Sequence, residues 1–241
     1  MFAVIFELQP KPEKCEEYLA LAKYLKPKLE AIDGFIDIDR FSSRHTKGRL
    51  LSLSSWRDEK AIVRWRTQAE HHAVQEKGRF EVFEDYHLRV GEITVDTAVG
   101  EGIEEQRFDA TEAGEAKVVT ITEVVLRADH ALGAEVDRLG AYLGLRTSSD
   151  GLIDQQAFES IYHSGKFLLL AAWWGADAAK SWSPTRRDAA TSLRHRHVRI
   201  VRDYGMFDRR EAPQFFPEVK QVERETGALV GAGETAMRGP T

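Results

Sequence analysis

The chain repeats itself, and that constrains its fold more than any other feature. At an offset of 117 residues, Gly34, Ile36, Asp37, Phe41, Ser43, Gly48, Leu51, Leu53, Trp56, Ala61 and Trp65 fall without a gap on Gly151, Ile153, Asp154, Phe158, Ser160, Gly165, Leu168, Leu170, Trp173, Ala178 and Trp182. Outside this stretch the offset drifts. Glu7 matches Glu123 at 116, and the last strands align either at 107 (Arg89 on Arg196, Asp96 on Asp203) or at 110 (His87 on His197). Such self-similarity marks two copies of one supersecondary unit. The copies occupy residues 1–97 and 117–207, separated by an acidic linker over 98–116 that has no apolar period. From residue 208 to 241 the chain turns polar and Gly-rich, as expected of a docked arm or a frayed tail.

In the first copy FAVIFEL reads as a strand. Cys15, Tyr18, Ala22, Leu25, Leu29 and Ile32 then recur at helical spacing, with Pro12 at the start and Pro27 expected to kink or split the helix. Two strands, GFIDIDRF and RLLSLSSW, follow; Asp58 caps a helix, a further helical stretch carries AEHHAVQEKGRFEVF, and YHLRVGEITV closes the copy. The order is βαββαβ, an α+β ferredoxin-like plan. The second copy repeats it, with Leu132, Val136, Leu139 and Leu143 forming its first helical stripe. A four-stranded sheet covered by helices on one face needs a partner for the other. The two sheets are therefore expected to pair within the chain as a dimeric α+β barrel, a pseudo-dimer that leaves room for a further homodimer.

Composition narrows the partners. Lys+Arg number 34 against Asp+Glu 39, a net charge of -5, so no diffuse field draws the chain to nucleic acid. A single cysteine, Cys15, forms no internal disulfide and no Cys-rich zinc site. The apolar start lacks a basic leader region and no run approaches a membrane span, so no membrane partner is expected and the cytoplasm is the default. Neither GxGxxG nor GxxxxGK[ST] nor GxSxG occurs.

The segment WRDEKAIVRWRTQAEHHAVQEKGRFEVFEDYHLRV, together with RDYGMF late in the second copy, resembles the antibiotic biosynthesis monooxygenase (ABM) family of dimeric α+β barrels. The likeness covers residues 2 to 96 and is weaker over 117 to 207. It implies a pocket between the sheet and the second helix of a half. Some members oxygenate aromatic polyketides there without metal or flavin, and others bind and degrade haem. Both of those branches use an Asn in the first strand, and the haem branch adds a His ten residues after the helix Trp. Here Phe6-Glu7 and Gln75 stand at those places and the chain contains no Asn, so Asn-dependent mechanisms are excluded and haem handling is disfavoured.

Oxygenation without a cofactor needs an apolar cavity, a base to form a carbanion from a small aromatic or enolisable substrate, and a donor for the oxyanion. His71, His72 and His87 carry the side chain that titrates near neutrality. Arg40 is the candidate for the anion and Trp65 for the cavity floor, with Phe41 and His87 as further substrate contacts. Glu7 is either a buried base or half of a structural ion pair. His71 and His72 point about 100° apart on a helix, so at most one of the two is expected to face the cavity, the other reading of the pair being a solvated face plus one packed ring. The tryptophans read equally as core aromatics. The Arg-rich stretch 186–202 is a solvated edge or an anion grip. His195 and His197 share a strand face at a two-ligand spacing that lacks a third ligand, so no cofactor or metal is expected. The working pocket falls in the first copy, because the second lacks the Glu-His-His segment. The competing class is a module of the same fold that binds a small aromatic ligand without turnover.

Overall fold

The computed structural model describes residues 1–128 and 138–220. The first half runs β1 (Phe2–Pro10), α1 (Cys15–Glu30), β2 (Phe35–Ser43), β3 (Leu50–Trp56), α2 (Glu59–Arg66), α3 (Ala69–Lys77) and β4 (Phe83–Asp96). The second runs β5 (Val118–Leu126), α4 (Leu139–Tyr142), β6 (Leu152–Ser160), β7 (Lys166–Trp173), α5 (Ala176–Lys180) and β8 (Ala190–Gly205). Leu132, Val136 and the terminal GAGETAM lie outside the described residues. Among the described residues, no helix is long and apolar enough to cross a membrane.

The result is an α+β architecture on one antiparallel sheet, whose strands close in the order β1-β3-β2-β6-β7-β5-β8-β4. The halves meet along two seams, a short one between β2 and β6 and a long one between β4 and β8. Pairing registers coincide in the two halves. Glu7 faces Leu51 and Glu123 faces Leu168; Phe35 and Leu152 each face a Trp and are each followed by the same register shift. For the last strands the offset is 107, since Glu7 faces His87 where Glu123 faces Arg194. His197 therefore corresponds to Val90, not to His87.

Close contact explains two of the repeated residues. Gly34 and Gly151 both have positive φ, +91° and +73°, and a Cβ on either would come within 2.7 Å and 2.4 Å of the Cβ of Ala61 and Ala178, themselves a matched pair. Helix and turn meet there at backbone distance, which a side chain at either glycine would prevent.

The space between the halves is a packed core. Ile5, Phe41, Leu51, Val119, Phe158 and Leu168 interdigitate there, with Ala113 of the linker closing over them. Among the described residues, branched and aromatic side chains from all eight strands fill this interior and leave no apolar hollow between the sheets. Towards its rims the interior carries charge. Glu7 pairs with Arg89 and Glu123 with Arg196, while Asp96–Arg194 (2.6 Å) and Asp203–His87 (2.5 Å) tie β4 to β8. The latter two contacts exchange partners under the offset of 107. The Arg-rich stretch is thereby largely committed, since Arg199 and Arg202 also pair with Glu92 and Glu59.

One helix departs from expectation. α1 continues through Pro27, whose ring sits on the exposed side of the last two turns, where one missing hydrogen bond does not break the rod. The helix after β7, α5, has only five residues where α2 has eight and α3 nine, in line with the shorter second helix region of the second copy.

Candidate active site

A cavity of about 210 Å³ opens on the outer face of the first half's sheet, beneath α1, α2 and α3. Strand alternation builds its floor. On β1, Val4 and Phe6 face the helices while Ala3, Ile5 and Glu7 face the barrel interior. Tyr18, Ala22, Leu25 and Leu29 from the buried stripe of α1 form the roof. Trp56 closes one side, its indole N–H donating to Ser54 Oγ at 2.9 Å. The remaining wall comes from β8, through Arg202 and Tyr204, and from the irregular segment after it, through Arg209, Pro213, Gln214 and Phe216.

His71 is fixed on this wall by three local contacts. Gln68 caps α3 by accepting from the His71 backbone N–H at 2.7 Å. The imidazole stacks on Trp65, centroids 4.0 Å apart and planes 16° from parallel. Its Nδ1 lies 2.9 Å from the Trp65 carbonyl oxygen. A carbonyl only accepts, so Nδ1 carries the proton and the neutral ring keeps its lone pair on Nε2. Burial lowers the His71 pKa to about 4, the Trp65 carbonyl opposing the shift.

Arg40 reaches the same cavity from β2 and is 7% exposed. Its Nε has no hydrogen-bond partner, and among the described residues no carboxylate pairs with it. Its neighbours are the Tyr18 hydroxyl and Ser52; burial raises the Tyr18 pKa against the pull of the Arg40 charge.

Of the residues expected at the site, Arg40, Trp65 and His71 are brought together. His72 is exposed, stacks on Phe216 at 5.4 Å and lies outside the cavity wall. Glu7, Phe41 and His87 project from the other face of the sheet. Glu7 is 2% exposed and held by Arg89 and by Arg49 at 3.2 Å; Phe41 is fully buried in the barrel core; His87 meets Asp203 across the seam. Arg79, Arg209 and Gln214 are site residues that the sequence reading does not reach. Arg79 donates to the Met206 and Pro217 carbonyls and Arg209 to the Tyr86 hydroxyl, so they pin the covering segment over the cavity. Only a motif local in sequence would have flagged them, and these contacts span more than a hundred residues.

The second half has an opening of its own, about 580 Å³, in which Gln155, Ala157 and Leu169 stand where Ile38, Arg40 and Ser52 line the first cavity, with Arg138 and Arg146 beside them; neither Trp182 nor a histidine of that half lines it. Trp182, the counterpart of Trp65, packs with Trp173, Leu139 and Leu143, and edge-on against His195. His195 Nε2 faces His197 Nε2 at 3.0 Å, and its Nδ1 lies 2.8 Å from Thr122 Oγ1. Among the described residues no group of three metal-type side chains converges.

Two buried histidines give the fold an acid limit. Burial lowers both His71 and His195 to about 4, below the ordinary 6.5. Between those values the unfolded chain binds more protons than the folded one, so stability is intact above about pH 6.5 and drains away towards pH 4. Glu17, held near 2 by Lys14 and Lys77, and Asp208, held near 2 by Arg210, titrate below that window. The thermal midpoint should fall between pH 7 and pH 4.5, and a His71→Gln/His195→Gln variant should fall less. An equal fall in both would remove the histidines as the cause.

An α+β sheet with a cavity under its helices, walled by a neutral imidazole and a buried guanidinium, defines a small-molecule site equipped for proton and anion chemistry. Residues 1–77 match the sequence profile of the family described as antibiotic biosynthesis monooxygenase, ABM. The chain is 42% identical over 220 residues, 90% of its length and 99% of the relative's, to the jasmonate monooxygenase ABM of Pyricularia oryzae. A shorter relative, uncharacterized protein YqjZ of Bacillus subtilis, is 34% identical over 92 residues, covering 38% of this chain and 78% of the relative. Among solved structures, an anthrone oxidase-like protein aligns over 88% of this chain and 96% of its own at 13% identity, with a TM-score of 0.35. The chain belongs to the ABM family.

Proposed function

We propose that the chain is a monooxygenase working on a small, mostly apolar substrate in the first-half cavity, with His71 as its base. The observation that carries this is the pinned imidazole, with Nδ1 committed to the Trp65 carbonyl and Nε2 left as acceptor on an apolar wall. A base weakened to about 4 takes a proton only from an acidified C–H or O–H. That favours an activated methylene or a phenol. Such a substrate supplies all the electrons itself. A CH2 group and dioxygen give a carbonyl and water, four electrons leaving carbon and four reducing oxygen, with no external reductant. The apolar walls exclude water, which protects the carbanion until oxygen adds. Substrates are proposed from the same chemistry, and jasmonate joins the panel because the 42% identical relative is named for acting on it.

The two halves are read as a fused pseudo-dimer, supported by their matching registers and by the exchange of Asp96–Arg194 for Asp203–His87. Isologous contacts of this kind are those of a two-fold dimer. In this reading the second half buttresses the first and lends β8 and residues 209–216 to its cavity.

An oxygen electrode tests the proposal with anthrone, quinol and jasmonate panels. The expected result is oxygen uptake with one substrate consumed per dioxygen and no added cofactor. Tight binding without uptake would instead identify a ligand-binding module.

A further inference from the structure

We propose that Arg40 is a carboxylate anchor, so that the cavity's ligand is a small amphipathic organic acid whose charged end meets the guanidinium and whose apolar body fills the space under α1. This rests on the reading that the first-half cavity is the working site, and it assigns that site's ligand class.

Arg40 differs from the molecule's other deeply buried arginines. Arg89 and Arg196 each have a glutamate, and Arg79 has the Met206 and Pro217 carbonyls and the Tyr86 hydroxyl. Arg40 is 93% removed from solvent with only the neutral Tyr18 hydroxyl as a side-chain partner, and no carboxylate among the described residues neutralises it. A buried charge without a counter-ion is strongly unfavourable unless a partner arrives. A transient oxyanion leaves that imbalance in place throughout binding, whereas a ligand already ionised offsets it on entry. A guanidinium also matches a carboxylate in a two-pronged fork.

The offset of 117 places Ala157 where Arg40 stands and Leu169 where Ser52 stands, and both are buried in the packed core of the second half. Both positions also line the second half's opening, so the two openings differ in what they present here, a guanidinium in the first and a methyl group in the second. The cavity wall as a whole is also cationic, with Arg40, Arg66, Arg79, Arg202 and Arg209 against the single carboxylate of Glu59. Such a wall draws anions towards the opening.

Binding is measured without turnover, under anaerobic conditions, by quenching of tryptophan fluorescence and by calorimetry. The probes are decanoate, methyl decanoate and decanol, and jasmonate with its methyl ester. The acids are expected to bind at least tenfold tighter than the esters and the alcohol. Arg40→Met should weaken acid binding by roughly 30-fold or more and abolish the preference, while Arg40→Lys should retain part of it. Arg40→Met is expected to keep or raise the thermal midpoint, since it deletes an unpaired buried charge. Should that variant fail to fold, the acid–ester comparison on the unaltered chain decides alone. Equal affinity for acid and ester, or an acid affinity unchanged in Arg40→Met, would overturn the proposal. Acid preference without oxygen uptake in any panel would leave the anchor standing and remove the monooxygenase reading.

Discussion

Replacing His71 by Gln should lower kcat for oxygen uptake by about 10²- to 10⁴-fold, the usual contribution of a positioned proton acceptor, while changing KM little. Gln occupies similar space and still stacks on Trp65, but it has no basic nitrogen. The pH profile adds a readout that a merely structural role would not move. The imidazole must be neutral to act, and its pKa stands at about 4, so kcat/KM should be flat from pH 8 down to about 5 and decline below pH 4. An unperturbed histidine would begin that decline near 6.5. In the Gln variant the residual rate should show no such limb. His72→Ala is the matched comparison, since His72 stacks outside the cavity on Phe216; it should leave the rate within about twofold. Loss of activity in His72→Ala with retention in His71→Gln would reverse the assignment.

The repeat, the βαββαβ order of the first half and the cap at Asp58 were legible because each is local: identities at one offset, apolar spacing, a side chain reaching Ala61 N–H at 2.8 Å. The site was legible only in part, for a physical reason. In a sheet with one wet face, alternation names the buried side. Here both faces of β1 are apolar, with Phe2, Val4, Phe6 and Leu8 under the helices and Ala3 and Ile5 in the barrel, so period two separates the faces without saying which lines a cavity. Arg40 and Phe41 are neighbours in sequence and fell on opposite sides, one in the cavity and one in the core. The two candidate offsets for the last strand differ by an odd number, which flips every side chain. Only paired strands resolve that ambiguity, through Glu7 opposite His87 and Glu123 opposite Arg194. The covering residues Arg209, Gln214 and Phe216 reach the cavity through contacts that no local pattern encodes.

Substituting Glu7 should unfold the chain more readily rather than slow its chemistry. Glu7 faces the barrel interior at 2% exposure, bound to Arg89, which is itself 5% exposed, and to Arg49. Glu7→Ala or Glu7→Gln leaves the Arg89 charge buried without its counter-ion, a change that typically costs about 3–5 kcal/mol. For a domain of this size that corresponds to roughly 2–4 °C in Tm per kcal/mol, so a fall of order 10 °C is expected in a circular-dichroism melt at pH 7. Removing both partners should cost far less than removing one, because Glu7→Leu/Arg89→Met trades an ion pair for apolar contacts within an already apolar core. The pseudo-symmetric pair supplies a replicate: Glu123→Gln strands Arg196, 1% exposed, while Lys166, 2.5 Å from Glu123, keeps Asp39 at 3.0 Å. Its effect should therefore be similar to that at Glu7. A Glu7→Gln chain that melts like the unaltered one yet takes up no oxygen would mean that this carboxylate acts in the reaction after all, from the far side of the sheet, and would displace His71 as the base.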